Sequence, residues 1–283
     1  MKKIMAIVLS VLMVLGLFAG CGSNNAAETT AAPETAAAET TAAAETAAEE
    51  TTEAAEAAFT TIEEGKLIMS TNAAFPPYEM TTDDGGFEGI DVEIAGVIAE
   101  KLGLELEIMD VEFDAALLAV QQGKSDFVMA GVTVTEDRQL VMNFTDSYAT
   151  GVQVVIVPEG SDVTIDNLGE KMIGTQRATT GYIYASGDYG EDHVTAYDNG
   201  MTAVQALMNG QVDCVIIDSA PAQEFVASNP GLTILDTEYV TENYAIGVAK
   251  ENTALVDAIN GALAELIADG TVQSIVDKYI SAE

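Results

Sequence analysis

Short apolar runs alternate with amphipathic stretches from Lys66 to the end of the chain. A short apolar run bounded by turn residues predicts a buried strand, and apolar positions recurring every three or four residues predict a helix. Residues 66–70 predict a first strand, followed by a loop stiffened by Pro76 and Pro77. After the Asp83-Asp84-Gly85-Gly86 turn, Asp91 reads as the N-cap of a helix reaching Leu102, with Ile94, Val97, Ile98 and Leu102 on one face and Gly103 beyond its end. Residues 104–109 read as a strand, 113–122 as a helix closed by Gly123, and 127–130 as a buried strand. Further on, 152–157, 171–174, 194–197, 212–217 and 244–248 predict strands, and 201–208, 254–266 and 272–279 predict helices. This alternation predicts an α/β protein with a mostly parallel sheet and helices on both faces.

One pattern occurs twice. Residues 120–126 (VQQGKSD) and 207–213 (LMNGQVD) each end a helix, pass through Gly-x-x-Asp and enter an apolar strand. The first strand leads to Arg138 and the second ends at Asp218. Two similar units, each ending a strand at a polar group, predict two lobes facing a cleft, because ligands of open α/β sheets bind outside the carboxyl ends of the strands.

The first 58 residues follow a different pattern. Lys2 and Lys3, an apolar run from Ile4 to Phe18, then Ala19-Gly20-Cys21 make residues 1–21 a secretion signal, too short for a comfortable membrane span. Residues 22–58 are almost all Ala, Glu and Thr and hold no large apolar side chain, which predicts a tether spanning roughly 30–35 Å as a coil. The whole chain has 46 acids and 10 Lys or Arg; removing eight tether Glu and two leader Lys leaves 38 against 8, near −30 for the remainder. Such a surface repels nucleic acid and anionic lipid. Cys214 is the only cysteine besides Cys21 and reads as a small core residue.

Candidate chemistry follows from the strand ends. Arg138 and Arg177 are the only arginines. Arg138 lies in the first turn of a helix that Thr135 caps, beside Gly131 and Thr133, where a two-pronged bond to a carboxylate is feasible. Asp218 has two readings: cap of the helix that Pro221 helps to start, or acceptor for an ammonium. Thr179 and Thr180 are either a helix cap or donors to a carboxylate, and Phe75 and Phe113 are either core residues or walls for an aliphatic ligand. Arg177 reads as a surface charge. A solitary His193 in a polar stretch and a buried cysteine make neither a zinc site nor a Cys-His nucleophile pair, and neither standard spacing of a Gly-rich phosphate loop occurs.

The segments AAFPPYE (73–79), GFEGIDVEIAGVIAEKLG (86–103), FDAALLAVQQGKSD (113–126), AGVTVTEDR (130–138), NFTDSYATG (143–151), GQVDCVIID (210–218) and ALAELIADGTVQSIVDKY (262–279), in this order, resemble the family 3 extracellular solute-binding proteins, the amino-acid receptors of ABC importers. The resemblance implies a two-lobed periplasmic-binding-protein-like α/β fold of type II with two hinge crossings, near Thr150 and Tyr244. Lobe one is then 59–150 plus 244–283, and lobe two 151–243. It implies a non-enzymatic monomer without cofactor that holds an amino acid by its carboxylate at Arg138 and its ammonium at Asp218. Gly131 and Thr133 complete the polar cage, Ala130 stands at a position where some relatives carry a hydroxyl, Thr179 and Thr180 serve the carboxylate from lobe two, and Phe75 and Phe113 form aromatic walls. Asn72 stands where binders of basic amino acids carry an acid, which argues against lysine or arginine. Ala178 replaces the family's frequent Gly. Cys21 resembles the acylated cysteine of lipoproteins, which implies a lipid anchor on the extracytoplasmic face and a membrane permease as partner. Two other classes remain open: a surface lipoprotein with an adhesive or sensory role, and a dehydratase-like enzyme on the same fold.

Overall fold

The structure, a computed structural model, describes residues 59–236 and 238–280. The leader, Cys21 and the tether lie outside the described residues. The elements run β1 (Lys66–Thr71), β2 (Ala74–Phe75), β3 (Glu79–Thr81), β4 (Phe87–Glu88), α1 (Ile90–Lys101), β5 (Glu105–Asp110), α2 (Phe113–Gln121), β6 (Phe127–Val128), α3 (Glu136–Val141) and β7 (Met142–Pro158). They continue with β8 (Ile173–Gln176), α4 (Thr180–Tyr189), β9 (Val194–Tyr197), α5 (Gly200–Met208), β10 (Cys214–Asp218), α6 (Ser219–Ser228), β11 (Leu232–Ile234), β12 (Val240–Ala249), α7 (Thr253–Ala268) and α8 (Thr271–Tyr279).

The main sheet has the order β5-β1-β6-β12-β7-β10-β8-β9, with β11 on β7. β5, β1 and β6 are mutually parallel, as are β10, β8 and β9, so each group is a parallel α/β unit. The sheet as a whole is mixed rather than mostly parallel. β7 runs antiparallel to β10, β11 and β12, and β12 antiparallel to β6. The reason lies in connectivity: β7 carries the chain into the second group and β12 carries it back beside β7, so the two crossing strands run in opposite directions.

β7 is 17 residues long, far beyond the predicted 152–157. Its first half exposes Asp146, Ser147 and Thr150 and therefore reads as a loop, yet β12 pairs with it from Met142 through Gln153 and satisfies its backbone.

Each group has apolar layers on both faces of its strands. In the first, Leu67 and Met69 pack with Ile90, Ile94 and Ile98 of α1 and with Leu255, Ile259 and Leu263 of α7. The other face holds Phe113, Leu117 and Val120 of α2 against Val128. In the second, alternation along β10 sends Val215 and Ile217 to α5 and α6, and Cys214 and Ile216 to the opposite layer with Leu168 and Ile173.

Asp91 is not an N-cap. α1 starts two residues earlier than such a cap would place it, at Ile90 with Gly89 as its cap, where a Cβ would fall 2.2 Å from the Tyr78 carbonyl oxygen. Asp91 is instead buried, and its Oδ2 accepts from Gly131 N–H (2.9 Å) and Tyr148 Oη–H (2.8 Å).

Candidate functional site

The carboxyl ends of β6 and β10 meet at one cavity, which holds about 450 Å³ of atom-free space, part of it open to solvent. Its walls include all ten residues anticipated for the site: Asn72, Phe75, Phe113, Ala130, Gly131, Thr133, Arg138, Thr179, Thr180 and Asp218. They also include Glu79, Gln153, Gln176, Ile216, Ile217 and Tyr244, which the sequence reading did not single out.

Arg138 is 8% exposed. Thr135 caps α3 by accepting from the Arg138 backbone N–H, which fixes where the side chain departs. Nη1 donates to the Thr133 carbonyl (2.8 Å), Nη2 to the Ala178 carbonyl (3.1 Å), and the guanidinium carbon lies 5.4 Å from the Phe113 ring centroid. Burial pulls the guanidinium pKa below its usual value, with Glu242 opposing. Its direct partners among the described residues are neutral carbonyls and an aromatic face, an incomplete environment for a buried charge.

Asp218 is 1% exposed and fulfils the capping role expected of it: Oδ1 accepts from Ala220 N–H (3.0 Å) at the start of α6. Oδ2 accepts from Val152 N–H (2.8 Å) on β7, and the Tyr244 hydroxyl donates to the carboxyl. Burial pushes its carboxyl up to about 6, against these bonds. Gly151 makes the arrangement possible, since a Cβ there would lie 2.4 Å from the Tyr244 hydroxyl and 2.7 Å from Asp218 Oδ2. The cap and cavity readings of Asp218 are therefore compatible.

Polar contacts join the two strand groups around the cavity. Gln176 Nε2 donates to Asn72 Oδ1 (2.9 Å), and Asn72 Nδ2 donates to the Val111 carbonyl (3.0 Å). Thr133 and Thr180 share a hydroxyl contact of 3.4 Å. Thr179 caps α4. Ala178 adopts φ 61°, the left-handed region that glycine tolerates best, which accounts for the glycine expected there. Gln153 Nε2 donates to Glu242 (3.0 Å).

Glu79 is 1% exposed, and neither carboxyl oxygen has a donor among the described residues. Burial, then the neighbouring Asp91 carboxyl, raises its pKa well above the usual range. A signal for it existed: β2 and β3 pair Phe75 with Glu79, so a hairpin around Pro76-Pro77 puts both on the same face. Arg177 is exposed and bonds Asp198 (2.6 Å), as a surface charge should. Among the described residues no cluster of His, Cys, Asp and Glu is placed to hold a metal, and no helix is long and apolar enough to cross a membrane.

The profile of the bacterial extracellular solute-binding proteins, family 3, matches residues 67–282. The chain belongs to this family. Among curated relatives of this solute-binding protein, the "Probable histidine-binding protein" of Neisseria gonorrhoeae is 32% identical over 222 residues, covering 76% of this chain and 83% of the relative. Among solved structures, a mutant of ArgBP from T. maritima is 37% identical with a TM-score of 0.73, over 77% of this chain and 96% of that one. An ancestral arginine-binding protein bound to glutamine is 35% identical with a TM-score of 0.74, over 78% and 100%. The fold is therefore the two-lobed α/β fold of periplasmic binding proteins, with β7 and β12 as the strands that cross between the two groups. The family is extracytoplasmic, and these relatives are named as binding proteins, not enzymes.

Proposed function

We propose that this solute-binding protein captures a free amino acid between its lobes and presents it to the membrane permease of an ABC importer. One observation carries the reading: a buried guanidinium bonded to carbonyls and a buried carboxylate bonded to N–H groups and a hydroxyl line the same cavity. A zwitterion supplies the missing charge at both ends. Arg138 takes the carboxylate by two parallel bonds, assisted by Thr133, Thr179 and Thr180, and Asp218 takes the ammonium. Gly131 and Ala130 bring backbone close to the ligand, and Phe75 and Phe113 flank its aliphatic part.

The side-chain end is assigned to Glu79. Asn72 is occupied by Gln176, so the lack of an acid at position 72 no longer speaks against a basic ligand. Glu79 offers two carboxyl oxygens that lack donors, which favours a cationic side chain. The relatives named for histidine and arginine point the same way.

In this reading the lobes are 59–150 plus 244–283 and 151–243, and they close on the ligand by bending β7 and β12. Acylated Cys21 and the 22–58 tether hold a monomer on the extracytoplasmic face.

A thermal-shift panel of the amino acids tests the reading. A ligand at one hundred times its Kd stabilises by about 2.7 kcal/mol, or roughly 5–10 °C for a domain of this size. Arginine, lysine or histidine should give the largest shift, and Arg138→Ala should abolish it while the fold is kept. No shift from any amino acid rejects the reading.

A further inference from the structure

Glu79 and Asp91 form a buried acidic pair on the lobe-one side of the cavity. Asp91 N–H donates to the carbonyl of Tyr78, the residue before Glu79 (2.9 Å), which brings the two buried residues together, and each carboxyl acts on the other. Asp91 Oδ2 is committed to Gly131 and Tyr148, while Asp91 Oδ1 and both oxygens of Glu79 have no donor among the described residues. The titratable groups facing the pair are Tyr78 beside Glu79, Tyr148 from β7 and Asp110 from β5, with Asp218 acting on Tyr78 from across the cavity. All are acids. Two ionised carboxylates cannot bond each other, and in a buried site their repulsion is strong; a single proton turns the contact into an O–H···O⁻ bond. Glu79 lines the cavity, so a cation arriving there can replace that proton.

We propose that Glu79 and Asp91 share one proton before ligand binds and release it to solvent when the cationic side chain of a bound amino acid takes its place. One positive charge enters and one leaves, so the charge of the buried site is unchanged. A neutral side chain brings no cation, and the proton stays. The protein thus sorts cationic from neutral amino acids according to pH. This rests on the assignment of Glu79 to the ligand's side-chain end. Burial raises both carboxyls, Asp91 to about 7, which keeps a proton on the pair near neutrality.

The test is titration calorimetry of the full-length chain with arginine and with glutamine, each in two buffers of different ionisation enthalpy at pH 7. About one proton per arginine bound should be released, and close to none per glutamine. The ratio of arginine to glutamine affinity should rise with pH between 5.5 and 7.5, by up to about tenfold per unit. Ionisation of Asp218 cancels in that ratio, because both ligands carry the same ammonium. Equal proton counts for the two amino acids overturn the proposal. In Glu79→Gln, and in the Glu79→Gln/Asp91→Asn double variant, the ratio should become independent of pH.

A ligand-independent check is the infrared band of a protonated carboxyl, present at pH 7 in the wild-type chain and lost in the Glu79→Gln/Asp91→Asn double variant. Its absence from the wild type overturns the shared proton whether or not an amino acid binds. Its presence, with no heat from either amino acid, leaves the shared proton standing and overturns the receptor reading.

Discussion

The two Gly-x-x-Asp units use one device at different depths. In lobe one, Asp126 is buried and accepts from Ile62 N–H (2.8 Å) and Ile68 N–H (2.7 Å), clamping the foot of β1 and the segment before it. In lobe two, Asp213 is exposed and accepts from Met172 N–H (2.7 Å), just before β8. Each acid sets the start of the neighbouring parallel strand, and therefore where the strand after it ends. The strand ends diverge: β6 leads through a loop and a helix cap to Arg138, while β10 terminates directly on Asp218. A repeated scaffold thus delivers opposite charges to one cavity, by a rigid route in lobe two and a longer one in lobe one.

Removing the delivered charges should break the comparison most. Arg138→Ala is expected to weaken amino-acid binding by at least about 10³-fold, and Asp218→Asn, whose single acceptor oxygen can serve only one of the Ala220 and Val152 N–H groups, by about 10²-fold; both are read by calorimetry. An Arg138 variant with unchanged affinity would refute the clamp.

The scaffold acids should differ in stability, not binding. Asp126→Ala strands buried N–H groups and should cost about 2–3 kcal/mol, whereas Asp213→Ala should cost about 1 kcal/mol or less, measured by urea unfolding. Equal losses would mean that burial does not distinguish the two units.

Acid should move stability and binding in opposite directions. Burial holds Asp218 at about 6 and Asp91 at about 7, above their unfolded values. A group with a raised folded pKa binds more protons when folded, so its stabilising contribution is full below the unfolded pKa, about 4, and is lost as pH rises through the folded one. The Tm without added ligand should be higher at pH 5.5 than at pH 7.5 by about 3 °C or more. Affinity for the ammonium should fall below about pH 6, as Asp218 takes up its proton. A Tm that falls on mild acidification contradicts this.

The smallest effect is expected at Ala178. Ala178→Gly relieves a left-handed φ and should stabilise by about 1 kcal/mol or less, after the entropy glycine loses on folding, with binding retained.

Much of this was legible in the residues. Helix period, apolar runs and the doubled Gly-x-x-Asp pattern mark the parallel units, and Arg138 and Asp218 stand out as charged groups at ends of buried strands. The family resemblance added Asn72 and Ala130 and left Glu79, Gln153, Gln176, Ile216, Ile217 and Tyr244 unmarked. The first half of β7 was not legible, because its exposed Asp146, Ser147 and Thr150 resemble a loop until β12 lies beside them.

Asp91 and Glu79 show the same limit from the other side. A carboxylate ahead of a helical period has a local explanation as a cap, and only packing supplies the Gly131 and Tyr148 donors, 40 and 57 residues away in sequence. Periodicity and near neighbours suffice for the strands and helices of the two parallel units and for the charges that end them, though not for the first half of β7. Tertiary structure alone decided that Glu79 faces the cavity and meets Asp91. That outcome depends on which distant donors reach a buried carboxyl, and local order along the chain does not encode it.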